Sequence, residues 1–136
     1  IWQDQLMKKL KLIFALLFTT AMFSSPSYSE WTETSVSAGG NVFYIDFSSI
    51  KKNNGYVYYW QVLDYLKPTE YGDLSSKRLY ELDCNIPRKE RSISASYHTQ
   101  PMGNGAASTS DNTVREWTFY PPSSAGQMVL DEVCSR

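Results

Sequence analysis

Tyr56-Val57-Tyr58-Tyr59-Trp60-Gln61-Val62-Leu63-Asp64-Tyr65-Leu66 is the most β-prone stretch of the chain, because β-branched and aromatic side chains fit a pleated, half-buried surface. A strand sends successive side chains to opposite faces. Here both parities are apolar, so both faces of a sheet containing this strand call for cover, from a helix or from a second subunit.

Working outward, Lys51-Lys52-Asn53-Asn54-Gly55 reads as a turn, since Asn and Gly tolerate positive φ. Phe47-Ser48-Ser49-Ile50 is too short for a strand of its own. Upstream of it, Val42 to Asp46 and the alternating Trp31 to Ser37 flank Ala38-Gly39-Gly40-Asn41, which is a hairpin pattern. Downstream, Lys67 to Asp73 is a loop and Ser76 to Cys84 alternates as a strand. Asn85 to Lys89 turns the chain into Arg91 to His98, whose clean period of two leaves one serine-rich face to solvent. Gln100 to Asn112 is rich in Gly, Ser, Ala and Asn, with Met102 as its one large apolar residue, and is expected to be a mobile loop. Val114 to Tyr120 is expected to form the last strand, ended by Pro121-Pro122.

Ser123 or Ser124 can cap a C-terminal helix, with Gln127 three residues after Ser124. Ala125, Met128, Val129, Glu132 and Val133 recur at helical spacing, and Cys134 closes the helix. The expected fold is α+β: a single domain with an antiparallel sheet of about six strands, one C-terminal helix packed on a face, and one disulfide.

The other end of the chain fixes the compartment. Residues 7–29 carry Lys8, Lys9 and Lys11 before an apolar run from Leu10 to Phe18, with Ala21, Met22 and Phe23 following, then Ser27 and Ser29 as small residues before Glu30. That is the pattern of a signal peptide cut before Glu30. The apolar run is shorter than the roughly 20 residues a spanning helix needs, so no membrane span is expected after cleavage. Residues 1–6 precede Met7 and read as an upstream extension or artefact, leaving 30–136 as the mature domain, periplasmic, secreted or at the cell surface. Neither cysteine stands directly after the apolar run, so a lipoprotein is not expected.

In an oxidising compartment the two cysteines, Cys84 and Cys134, are expected to bond. A metal or redox role lacks CxxC spacing and has only His98 to draw on. Closing a loop of this size is worth roughly 4 kcal/mol on the chain-entropy account. Residues 30–136 hold ten of the 13 Lys and Arg and 13 of the 14 Asp and Glu, a formal charge of −3 that argues against nucleic acid as a partner.

Several of these pieces resemble the surface-adhesin protein E family of Gram-negative bacteria. They are the opening Trp31, Phe43-Tyr44-Ile45-Asp46 running into Ser48-Ser49-Ile50, and Ser76-Lys77-Arg78-Leu79-Tyr80-Glu81-Leu82-Asp83-Cys84. Pro101-Met102-Gly103, Trp117 before Tyr120-Pro121-Pro122-Ser123, and the helix closing on Val133-Cys134 complete the set. The resemblance implies a small antiparallel sheet with its C-terminal helix stapled by a Cys84–Cys134 bond. It also implies capture of host matrix and plasma proteins such as vitronectin and laminin, by a dimeric, lipid-anchored protein. The anchoring cysteine of that pattern is missing here.

The supply of catalytic groups is thin, so a non-enzyme without cofactor or metal is expected. His98 falls on the serine-rich face and reads as an exposed strand residue. Ser92, Ser94 and Ser96 lie in no nucleophile-elbow context, and Asp64, Asp73, Asp83 and Asp111 lack calcium-loop spacing. Aromatic residues make up 15% of the chain, more than a sheet core of this size absorbs. Tyr56, Tyr58 and Trp60 share one parity and, bordered by Lys51 and Lys52, are the expected binding surface, for an extracellular or envelope protein or for a second copy. The other frame for such a domain is a periplasmic envelope factor, for instance a protein inhibitor of a cell-wall hydrolase.

Overall fold

The computed structural model describes residues 30–136. The expected upstream extension, 1–6, and the expected signal peptide, 7–29, lie outside the described residues. Three long strands form the middle of one antiparallel sheet: β4 (Tyr56–Asp64), β5 (Ser75–Asp83) and β6 (Lys89–His98). Both flanks of this trio are shared between two shorter segments. On the β4 side, β2 (Val42–Ile45) pairs with Gln61 to Asp64 and β3 (Lys51–Asn53) with Tyr56 to Tyr58. On the β6 side, β7 (Ala107–Asp111) pairs with Ala95 to His98, and a returning segment bridges Glu90 to Thr118. β1 (Thr32–Val36) adds to β2 through the expected hairpin.

Local chemistry explains the joints. Gly40, at φ +87°, closes the β1–β2 turn where a Cβ would stand 2.8 Å from Leu66 Cδ2. Asp46 caps the single 3-10 turn Phe47–Ser49 by accepting from Ser48 N at 3.0 Å, and that turn steps the chain from β2 to β3 along the same edge of β4. Only Asn54 and Gly55, with φ of 52° and 83°, form the turn that sequence placed over Lys51 to Gly55. Lys51 to Asn53 are strand because β4 offers them an unpaired edge.

Helix α1 (Ala125–Cys134) is capped by Ser124, whose hydroxyl accepts from Gln127 N at 3.2 Å. Its buried residues are Leu130 and Val133, while Met128 is 65% exposed. Of the residues that recur at helical spacing in the sequence, Val129 and Val133 pack in the core while Ala125, Met128 and Glu132 are exposed, and Leu130, outside that set, is fully buried. Leu130 and Val133 pack on Ile45, Val57, Tyr59 and Leu82 to make the core. The Cys84–Cys134 disulfide joins the residue after β5 to the last residue of α1, with Cα atoms 5.8 Å apart. The expected architecture of sheet, single C-terminal helix and disulfide is what the fold contains.

Two expectations fail in the second half of the chain. Gln100 to Asn112 is not a mobile loop: it holds a 3-10 turn at Pro101–Gly103 and then β7. Its anchors are polar, with Ser75 Oγ donating to Gln100 O at 2.6 Å, Gly103 N to Ser75 Oγ at 2.8 Å, and Met102 N to Asp64 Oδ1 at 2.9 Å. Val114 to Tyr120 is not a strand but an extended return held by Arg115 N to Ser92 O and the Glu90–Thr118 bridge.

Candidate functional site

The register of β4 sorts its apolar residues into two sets. Val57 and Tyr59 lie under α1 in the core, and Val62, on the opposite face, is buried beneath the Pro101–Gly103 turn. Tyr56, Tyr58 and Trp60 share the face of Val62 but lie beyond that turn, and each is half-buried. Opposite residues of paired strands share a face. Leu79 stands opposite Trp60 and Glu81 opposite Tyr58 on β5, and Arg91 stands opposite Glu81 on β6.

On this face cations and rings alternate. Lys77 Nζ lies 5.1 Å from the Trp60 ring centre and 5.9 Å from that of Trp31. Arg91 Cζ and Lys89 Nζ lie 4.2 and 4.6 Å from the Trp117 ring centre, and Trp117 stacks on Tyr56 with ring centres 5.9 Å apart. Such contacts hold a ring in place without burying it. Tyr58 donates to Glu81 Oε2 at 2.7 Å, while Arg91 Nε and Nη2 donate to Glu81 Oε1 at 2.8 and 2.7 Å. The hydrogen bond to Glu81 holds the Tyr58 phenol above its ordinary pKa, so it stays protonated.

Of the residues that sequence singled out, Lys51 stands opposite Tyr58 and belongs to this face, whereas Lys52 stands opposite Val57 and belongs to the other. Both are exposed. Sequence missed Trp31, Lys77, Lys89, Arg91 and Trp117. The period-2 pattern of β5 and β6 could have placed Lys77 and Arg91. Nothing local could have placed Trp117, whose position depends on the return of the chain past β6.

The face also carries both signs of charge. By register it collects four carboxylates, Glu33, Asp64, Glu81 and Asp83, and four cations, Lys51, Lys77, Lys89 and Arg91. Among the described residues Arg91 alone of these four has a carboxylate within salt-bridge distance.

His98 is not on the surface. It is 6% exposed, with Nε2 2.8 Å from Ser96 Oγ and Nδ1 3.2 Å from the Gly105 carbonyl. The exposed strand residue expected from sequence is covered because the turn after β6 folds back over the strand end. Among the described residues there is no cluster of three or more His, Cys, Asp or Glu able to hold a metal ion. No described helix is long and apolar enough to cross a membrane.

A search among curated proteins and one among solved structures each returned no match. The family model described as Surface-adhesin protein E matches residues 31–135, from Trp31 before β1 to the residue after Cys134. That span holds every strand, the helix and both cysteines, and the chain belongs to the surface-adhesin protein E family.

Proposed function

We propose that this protein is an exported, non-enzymatic binding module that docks an extracellular protein on the open face of its sheet. The reading rests on one observation: the face of Tyr56, Tyr58, Trp60 and Trp117 carries half-buried rings fixed by Lys77, Lys89 and Arg91, with no described helix laid over it. Aromatic and arginine side chains held in one pose lose little freedom on binding, which is the usual make-up of an interface centre. Lys51, Lys77 and Lys89, which have no described carboxylate within salt-bridge distance, can meet carboxylates of the partner. Membership in a family of surface adhesins supports the same role, and Lys51 extends the surface along β3.

Export is part of the reading. Cleavage before Glu30 would release the domain into an oxidising space, where the disulfide forms. Intact mass of the exported product tests the cut, and protease accessibility on whole cells separates surface display from a periplasmic location.

The binding test is Trp60→Ala. With the matrix proteins that the family resemblance implies, vitronectin and laminin, or with an acidic protein from the cell's surroundings, it is expected to weaken capture by about 2 kcal/mol, some thirtyfold. His98→Ala, on the far side of the turn, is expected to leave capture within twofold. Sedimentation of both variants tests self-association through the same face. Equal capture by wild type and Trp60→Ala would place the binding surface elsewhere.

A further inference from the structure

A cavity of about 250 Å³ lies on the other side of the sheet, between β4 and the first turn of α1. The binding face proposed above does not use it. Phe43, Tyr59, Tyr80 and Tyr120 give it four aromatic walls, and Ser35, Gln61 and Glu90 its polar groups, while Arg78, opposite Gln61, lies against the Tyr80 phenol outside the lining. Tyr59 and Tyr80 stack with ring centres 5.3 Å apart.

Glu90 is the unusual member. It is only 4% exposed, and both of its oxygens accept from phenols, Oε2 from Tyr59 and Oε1 from Tyr120 at 2.5 Å. No described Lys, Arg or His lies within salt-bridge distance of it. A buried carboxylate without a counter-charge is costly, and hydrogen bonds from neutral phenols satisfy its lone pairs without cancelling its charge. A carboxylate has room for more than two donors. The first residues of α1, Ala125 and Gly126, also line the cavity. Their helix-end dipole offsets part of one charge at most.

The aromatic wall depends on a particular glycine. A Cβ at Gly126 would stand 2.4 Å from Tyr120 Cδ1, so the Tyr120 ring rests directly on the helix backbone. Aromatic faces carry negative potential, and a carboxylate within an aromatic enclosure is the arrangement that attracts organic cations. The volume is below that of pockets for drug-sized ligands, which restricts the guest to a head group or a side-chain end.

We propose that this cavity binds a small alkylammonium group, with Glu90 opposing its charge and Tyr59, Tyr80, Tyr120 and Phe43 enclosing its carbon substituents. Two sources offer that chemistry: a quaternary ammonium head group and the side-chain ammonium of a lysine.

The test is calorimetric titration and thermal shift of the exported protein with three probes: choline, Nα-acetyl-lysine amide, and 3,3-dimethyl-1-butanol, the uncharged carbon isostere of choline. Choline or the lysine amide is expected to bind saturably and raise the melting temperature, at least about tenfold more tightly than the neutral isostere. Preference between the two amines identifies the source. Glu90→Gln is expected to abolish the preference for charge, and Tyr80→Leu to weaken binding severalfold. Trp60→Ala is expected to bind the amines as wild type does, which separates this site from the open face. Equal binding of choline and its isostere, or no binding of either amine, overturns the proposal with wild-type protein alone, whatever the fate of the variants.

Discussion

The two faces of β4 are built from the same residue types and end up in different physical states. Under α1, Val57 and Tyr59 are buried among Ile45, Leu82, Leu130 and Val133, and their rings and methyls are held by dense packing. On the open side Tyr56, Tyr58 and Trp60 keep part of their surface in water, and what holds them is a lattice of cations, one carboxylate and Trp117. The difference teaches that an aromatic residue in a sheet is not core by virtue of its type. It becomes core when an element is laid over it, and a ten-residue helix covers only one side.

That division predicts a graded response to substitution. The largest effect should come from Cys84→Ser combined with Cys134→Ser, which releases α1 from the sheet. The expected loss is about 2–5 kcal/mol, lowering the melting temperature by well over ten degrees. Capture through the open face, measured below the lowered transition, should be retained if the two faces are separable.

Leu130→Ala should follow, at about 2–4 kcal/mol, since it opens a cavity under a fully buried side chain. Trp60→Ala should cost less than half of that in a denaturant titration while producing the larger loss in capture. If Trp60→Ala proves as destabilising as Leu130→Ala, the open face is core and the contrast fails.

Gly126→Ala sharpens the description of the covered face. In a helix this change normally stabilises by up to about 1 kcal/mol. Here the added methyl meets the Tyr120 ring, so a loss of about 1–3 kcal/mol is expected by thermal denaturation. A gain in stability would mean that Tyr120 moves aside without cost.

The smallest effect is one of pH. Burial holds the Glu90 carboxyl above its ordinary value of 4.5, against the opposing hydrogen bonds from Tyr120 and Tyr59. The folded state thus holds the Glu90 proton more tightly than the unfolded chain does. Its contribution is fully present below about 4.5 and is lost as pH rises through the raised folded value. Wild type should therefore gain stability relative to Glu90→Gln as pH falls from 7 toward 4.5. Asp111 and Asp131, whose carboxyls are held low by hydrogen bonds, pull the other way in both proteins and cancel in the difference.

Much of the framework was legible because it depends on neighbours in sequence. The β1–β2 hairpin follows from Gly39-Gly40, the start of α1 from Ser124, and the central strand from its unbroken run of β-formers. What was missed depends on partners far along the chain. β7 has no apolar signature, and it is ordered by main-chain pairing to β6 and by the Ser108 hydroxyl, which donates to Asp73 Oδ1. His98 looked solvated because the turn that covers it offers a carbonyl rather than a hydrophobic side chain. Lys51 and Lys52 were read as one turn, and only the pairing with β4 reveals that they face opposite ways. The aromatic face itself was foreseen from the parity of Tyr56, Tyr58 and Trp60, but its cations belong to other strands.

The disulfide has a mechanical consequence for a protein that holds on to something. Cys84 and Cys134 are 50 positions apart in sequence and 5.8 Å apart in space, so β6, β7, the return segment and nearly all of α1 sit inside a covalent ring. Pulled from its two ends, the 107-residue described domain could lengthen through only the part outside that ring. At about 3.5 Å per residue its extension stops near roughly 200 Å instead of roughly 370 Å. The ring also carries Arg91 and Trp117 of the open aromatic face, so under tension that part of the face stays on a short tether and can re-form from a chain that was never fully drawn out.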